Sequence, residues 1–308
     1  MSADAPSILS PRVIIPFVLT GTIWGSTWFV ITGQIDGVPA AWSVFYRFAL
    51  ACPALFLVAL FMKRRLKLTA PEHRLAVLVG LFQFSGNFLF VYNAELYVTS
   101  GIVAMMFALL MVPNAIFARI FIGEKVQGGF LLGSAVAIVG VSFLLWHEWQ
   151  SNPDAGVIGG NVGLGIGLAM LGILAASVAN VIQANPTGRA VPMVSLLAYA
   201  MLYGTVFDLG FAWVTAGPPP FPTSASYWGG IVYLALIGSV VTFPLHYNLV
   251  REIGAGRTAY NSILTISVAM LLSTLLEDYR WTALTMLGMA LAVVGMVLAL
   301  KARRQKAV

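Results

Sequence analysis

The sequence predicts an all-α polytopic membrane protein, with ten transmembrane helices in two inverted five-helix repeats around a central cavity. Three observations carry this. Hydrophobic residues make up 59% of the chain and charged residues 9%, with a mean hydropathy of +0.90, too apolar for 308 residues to hide inside a water-facing globule. The apolar residues come in long runs, not in the alternation of a barrel strand. And residues 131–145, "LLGSAVAIVGVSFLL", recur as 286–300, "MLGMALAVVGMVLAL", at a constant offset of 155.

Cutting at polar, Pro and Gly punctuation gives ten spans, at 12–33, 40–62, 74–92, 98–119, 127–147, 161–185, 191–214, 227–249, 257–276 and 282–301. Each is close to the ~20 residues that cross ~30 Å of hydrocarbon. The first carries no basic n-region in "MSADAPSILSP" and is long enough to stay in the membrane, so it serves as its own targeting signal. The second contains the lone cysteine, Cys52, read as a small packed apolar residue. Basic residues fall in alternate loops and at the termini, all but Arg280 and the intraspan Arg47. Basic residues resist translocation, so both termini are expected in the cytoplasm, and the net charge of +6 reflects orientation, not nucleic-acid binding.

The same offset pairs Leu81 with Leu236, Tyr92 with Tyr247, Asn93 with Asn248, Gly101 with Gly256, Ala104 with Ala259 and Leu109 with Leu264. Duplication divides the chain at 1–150 and 151–308. Five spans per half is odd, so the second copy enters from the other side, as in many secondary transporters that hold substrate between their halves. Gly133, Ala137 and Gly140, with counterparts Gly288, Ala292 and Gly295, put one small face on the fifth and tenth spans, fit for close backbone packing.

"IWGSTWFVITGQIDGVPAAWSVFYRFALA" followed by "YNAELYVTSGIVAMMFALLMVPNAIFARIFIGEKV" resembles the drug/metabolite transporter superfamily, specifically its ten-helix EamA-type members. The second half keeps the outline in "YNLVREIGAGRTAYNSILTISVAMLLSTLLEDYRW". Within the superfamily the aromatic-rich chain is similar to the YddG-type aromatic amino acid exporters. The resemblance implies a cavity lined by helices one to four and six to nine, peripheral fifth and tenth helices, and alternating access. "MVPNAI" departs from the pattern by placing Asn114 after Pro113, where an apolar residue is common, which puts the fourth-helix lining in question.

Polar groups inside spans are expected to face protein or a water-filled cavity. Arg47 and Asp208 sit at similar depth, about 10 Å below one surface at 1.5 Å per residue. That leaves an ion pair, separate hydration, or a role in substrate or proton handling. Gln83 and Asn87 at i, i+4 are the favoured cavity amides. Trp24 and Trp28, Ser177 and Asn180, Tyr199 and Tyr203, and Tyr260, Asn261 and Ser262 are further candidates, with core packing the competing reading for the aromatics. Tyr92, Asn93, Tyr247 and Asn248 are read as symmetric gates or as interfacial anchors. Pro113 and Pro244 remove helix hydrogen bonds and suit hinges or static bends. His246 is a further cavity candidate.

No nucleophile, base or metal cluster converges, and the glycines of "GGNVGLGIGLAM" follow no strand. The chain therefore reads as no enzyme, with no cofactor and no metal: a monomeric carrier in the bacterial inner membrane, its partners an amphipathic small molecule and the lipid bilayer. Export of amino acids, aromatic ones foremost, is the leading expectation; broad metabolite or drug export is the alternative.

Overall fold

The computed structural model describes residues 10–123, 126–151, 154, 156–253 and 258–304; the side chains of Tyr247, Val250, Arg251, Arg303 and Arg304 lie outside this description. All its regular structure is helical among the described residues. Nine helices are long and apolar enough to cross a bilayer: α1 (Pro11–Ile35), α2 (Ala40–Phe61), α3 (Ala70–Ala94), α4 (Ser100–Phe121), α5 (Gly128–Ser151), α6 (Val162–Gln183), α7 (Met193–Ala216), α8 (Ala225–His246, helical on to Ile253) and α10 (Ala283–Arg304). The tenth, α9 (Asn261–Leu276), is shorter at 16 residues. Side chains such as Phe61, Ile120, Phe121, Val206 and Val214 stand exposed around the bundle, where lipid replaces water as solvent.

Helix starts follow local chemistry. Pro11 opens α1, where a missing N–H is harmless. Thr69 and Glu72 form a capping box on α3, and Arg65 clamps the Glu72 carboxylate through both terminal nitrogens. Asn161 caps α6 by accepting from the Leu164 N–H at 3.0 Å.

The duplicated glycines do what their spacing predicts. α5 and α10 lie against each other along their length. A Cβ on Gly133 would sit 2.3 Å from the Ala299 nitrogen, and one on Gly140 2.3 Å from the Ala292 nitrogen. One on Gly295 would sit 2.2 Å from the Ala137 nitrogen, and one on Gly288 2.7 Å from the Gly140 carbonyl. Rising numbers on α5 meet falling numbers on α10, so the two helices run antiparallel. Shifting one contact by 155 also reproduces another: Gly140 against Ala292 becomes Gly295 against Ala137. The seam is therefore a pseudo-two-fold axis between inverted halves, and only residues without bulk allow backbones this close.

The repeat extends to an irregularity that spacing did not foretell. α3 carries a π-helical stretch at Gly80–Asn87, and α8 carries one at Tyr233–Val241, nearly the same place in each half. In α8 hydroxyls take up carbonyls five residues back: Ser239 Oγ donates to the Leu234 carbonyl at 2.9 Å and Thr242 Oγ1 to that of Ile237 at 2.5 Å. Pro113 follows a 3₁₀ turn at Phe107–Leu110 in α4, and Pro244 follows the π stretch in α8. Both prolines sit inside continuous helix, each beside an adjusted turn, as a missing donor requires.

A branched residue at Gly140 should therefore separate the halves. Gly140→Val is expected to lower the melting temperature of the detergent-purified protein by several degrees. Gly167→Ala, where an added Cβ meets nothing within 4 Å, is expected to leave it unchanged.

Candidate functional site

Between the halves lies a cavity of about 410 Å³. Its wall includes Trp24 and Trp28 from α1, Arg47 from α2, Gln83, Asn87 and Phe88 from α3, and Phe107 and Asn114 from α4. Asn180 of α6, His246 of α8, and Asn261 and Ser262 of α9 add polar groups, while Ala176 of α6 and Met296 and Leu300 of α10 add an apolar edge. The lining residues of α6, α8, α9 and α10 all belong to the halves of those helices nearer the chain termini. On α1 and α3 the lining residues, Trp24 and Trp28 and Gln83, Asn87 and Phe88, lie in the half farther from that face, so the cavity runs from the middle of the bundle to the face that bears both termini.

The opposite end is closed by aromatic packing. Tyr46 donates its hydroxyl to the Pro220 carbonyl at 2.6 Å, Trp228 Nε1 donates to the Pro222 carbonyl at 2.9 Å, and the two rings lie 5.2 Å apart. Proline carbonyls of the stiff "GPPPFP" segment are thus tied down over α2 and α8. Beneath them Ser43 Oγ donates to the Gln34 carbonyl at 2.6 Å and lies 2.8 Å from the Tyr227 hydroxyl, joining α1, α2 and α8.

Arg47 forms the floor, 2% exposed. Its Nε and Nη2 donate to Ser239 Oγ at 3.4 and 3.2 Å, and Nη1 donates to the Tyr92 hydroxyl at 3.3 Å. Its guanidinium carbon lies 4.4 Å from the Phe88 ring centre and 5.3 Å from that of Phe48, within cation–π range. Of the arrangements open to Arg47 and Asp208, the direct ion pair is not formed. Asp208 is fully buried on α7, one turn beyond Gly204, which packs on Gly80 and Phe84 of α3. That face of α7 turns its carboxylate toward Ser85 of α3 and away from the cavity. Among the described residues the ion pair is instead Arg65 with Glu72. Arg47 is therefore a cation held by neutral donors' oxygens and aromatic faces.

Besides Arg47, eight of the sequence candidates line the cavity: Trp24, Trp28, Gln83, Asn87, Asn180, His246, Asn261 and Ser262. Trp24 Nε1 donates to the Gly238 carbonyl at 3.2 Å, inside the π stretch of α8, and its ring lies 4.8 Å from His246. Trp28 packs on Phe107 at 5.0 Å. Asn180 Nδ2 reaches Asn114 Oδ1 at 3.5 Å across the mouth. The departure at Asn114 thus adds a polar wall residue to α4.

Ser177, Tyr199, Tyr203 and Tyr260 are not on the wall. The lining pair of α6 is Ala176 and Asn180, four apart, which turns Ser177 into the helix contacts, where it is fully buried. Tyr199 and Tyr203 face the start of α3: the Tyr203 hydroxyl lies 2.9 Å from His73 Nδ1, and Tyr199 packs edge-on to Phe56 and His73. Tyr260 packs against the hydrophobic core, half-buried, while its neighbours Asn261 and Ser262 face the cavity. The peripheral role implied for the tenth helix is likewise corrected, since α10 supplies Met296 and Leu300 while α7 supplies nothing to the wall.

Of the gate candidates, Tyr92 is fully buried at the floor with its hydroxyl on Arg47. Asn93 turns back on its own helix, donating from Nδ2 to the Leu89 carbonyl at 2.7 Å. Asn248 lines a crevice of about 50 Å³ with Met62, Arg64 and Pro244 at the terminal face, and the Tyr247 side chain lies outside the described residues.

The EamA-like transporter family matches this chain twice, over residues 12–146 and 163–301. The chain belongs to that family. The two matches coincide with the halves related by the α5–α10 seam. Relatives of the EamA-like chain include the uncharacterized inner membrane transporter YedA of Escherichia coli (strain K12), 26% identical over 88% of this chain and 87% of YedA. A probable terminal-alkyne amino-acid exporter of Streptantibioticus cattleyicolor is 25% identical over 93% of each chain. Protein PagO of Salmonella typhimurium is 26% identical, and there the chain spans about half of PagO's length, 47%. A solved crystal structure shares the fold at a TM-score of 0.66, with 19% identity over 94% of this chain and 97% of that one.

The direction of opening predicts a labelling pattern. In a Cys52→Ala background, Asn180→Cys is expected to react with a membrane-impermeant maleimide added on the side of the termini, and Ser177→Cys to stay unlabelled. Equal labelling of the two would contradict the wall assigned to α6.

Proposed function

We propose that this EamA-like transporter exports amino acids, aromatic ones foremost, across the bacterial inner membrane by alternating access, with both termini in the cytoplasm. The observation that carries this reading is Arg47 at the floor of a cavity walled by aromatic rings, apolar side chains and neutral amides and hydroxyls. A guanidinium with no acidic partner in contact among the described residues suits a substrate carboxylate, which accepts two parallel hydrogen bonds from the planar fork.

The remaining wall supports the same substrate. Asn87 adjoins Phe88, which stacks on Arg47, and its buried side-chain oxygen has no hydrogen-bond partner among the described residues; it offers an acceptor to an ammonium group. Trp24, Trp28 and Phe107 offer the apolar, polarisable surface an aromatic side chain needs. A volume of about 410 Å³ falls within the range of small-molecule sites. With the termini in the cytoplasm, the cavity faces the compartment from which an exporter loads. The named amino-acid exporter among the relatives points the same way.

Counterflow in proteoliposomes tests this directly. Labelled tryptophan or phenylalanine is expected to exchange across the membrane. Arg47→Gln is expected to slow that exchange roughly 10- to 100-fold, the equivalent of about 1.5–3 kcal/mol for a hydrogen bond to a charged group, while leaving the melting temperature near that of the parent. Exchange of tryptamine, which has no carboxylate, is expected to be nearly indifferent to the substitution. Transport of amines in preference to amino acids would overturn the reading.

A further inference from the structure

Beyond the end of α3 stands a carboxylate for which the transport cycle above has no use. Glu95 is fully buried, and neither of its carboxylate oxygens has a hydrogen-bond partner among the described residues. It follows Tyr92 by three positions, so the two side chains share one face of the chain's last helical turn. Tyr92 in turn holds Arg47 through its hydroxyl. Glu95 is thereby one residue removed from the cavity floor, on the side away from the opening.

Its surroundings are sparse in charge. From α2 comes Arg47, and from the end of α9 comes Glu277. The Glu277 carboxylate is occupied: it accepts from the Ser100 hydroxyl at 2.6 Å and the Ser100 N–H at 3.2 Å, capping α4. The charge of Asp208 on α7 acts on the Tyr92 hydroxyl. From the segment after α5 the Val157 N–H donates to the Glu95 carbonyl at 3.3 Å. Burial and the Glu277 charge push the Glu95 carboxyl well above the usual carboxylate range, and Arg47 opposes them. An ionised carboxylate without hydrogen bonds in such a place is disfavoured by several kcal/mol relative to its neutral form.

We propose that Glu95 is a proton-binding site of this transporter, and that its proton occupancy is linked through Arg47 to the charge of the substrate in the cavity. Arg47 is the cation acting on Glu95. An anionic substrate group on the guanidinium weakens that attraction, so Glu95 takes up a proton from water, and departure of the substrate releases it. By reciprocity, protonating Glu95 strengthens the hold of Arg47 on a carboxylate. The linkage rests on the amino-acid reading of the cavity; the proton site does not.

Infrared spectra of the full-length protein in lipid nanodiscs, taken across pH, separate the two. The carbonyl stretch of a carboxylic acid free of hydrogen bonds is expected at neutral pH, lost in Glu95→Gln and kept in Asp208→Asn. Arg47→Gln is expected to carry that band to higher pH, because the cation favouring ionisation is gone, by on the order of one pH unit. Glu277→Gln is expected to move it to lower pH, and serves if Glu95→Gln does not assemble. A band unchanged in Glu95→Gln, or unmoved by both neighbour variants, overturns the proton site. Adding tryptophan to the weakly buffered parent protein, at the pH where the infrared band is half lost and Glu95 is therefore partly ionised, is expected to draw protons from solution, read by a pH dye, and not to do so in Glu95→Gln. Calorimetric binding of tryptophan without proton uptake overturns the linkage. Absence of tryptophan binding overturns the amino-acid reading and the linkage with it, and leaves the proton site to be decided by the infrared band.

Discussion

In a bilayer, lipid tails are as apolar as leucine, so nothing drives one greasy helix against another except close fit and polar contact. This constraint makes the α5–α10 seam the foundation of the architecture. Gly133, Gly140, Gly288 and Gly295 let two backbones approach to distances at which any side chain would collide. The contact is symmetric under the repeat, so one small-residue face, duplicated, serves both partners. With the halves joined along this line, the remaining helices can diverge and leave space between them without the bundle losing its anchor.

That space is bordered by the least regular backbone in the molecule. π-helical stretches in α3 and α8 and a 3₁₀ turn in α4 release carbonyls that an unbroken α-helix would have used. Buried in hydrocarbon, such groups must find partners. In α8 they find them in Trp24, Ser239 and Thr242, each an otherwise costly polar group in an apolar surrounding. Ser239 then presents its oxygen to Arg47, so the wide turn of α8 also seats the charge at the cavity floor. Backbone irregularity, aromatic wall and buried cation are one arrangement.

Much of this was legible from residues alone. Polar amides within long apolar runs have to turn inward, which located Gln83, Asn87 and Asn180, and the same logic, with helical spacing, located Trp24, Trp28 and Ser262. It failed where inward had more than one meaning. Tyr199 and Tyr203 share a face that meets His73 and Phe56, and Ser177 differs from the wall residue Ala176 by one step of rotation. Asp208 shares a depth with Arg47 but lies on a helix whose close approach to Gly80 and Phe84 turns it elsewhere. Depth follows from counting residues; azimuth depends on the neighbour.

The sequence by itself determined the solvent, the ten helices, the duplication and the small-residue faces, because hydropathy, length and spacing act locally and repeat visibly along the chain. Only the tertiary structure decided that α10 borders the cavity while α7 does not, that Arg47 rests on Ser239, Tyr92 and Phe88, and that Glu95 is buried with no hydrogen-bond partner for its carboxylate among the described residues. Those outcomes depend on the rotation of each helix about its axis, and that rotation is set by packing between segments distant in the chain, as Arg47 on Ser239 and Ser100 on Glu277.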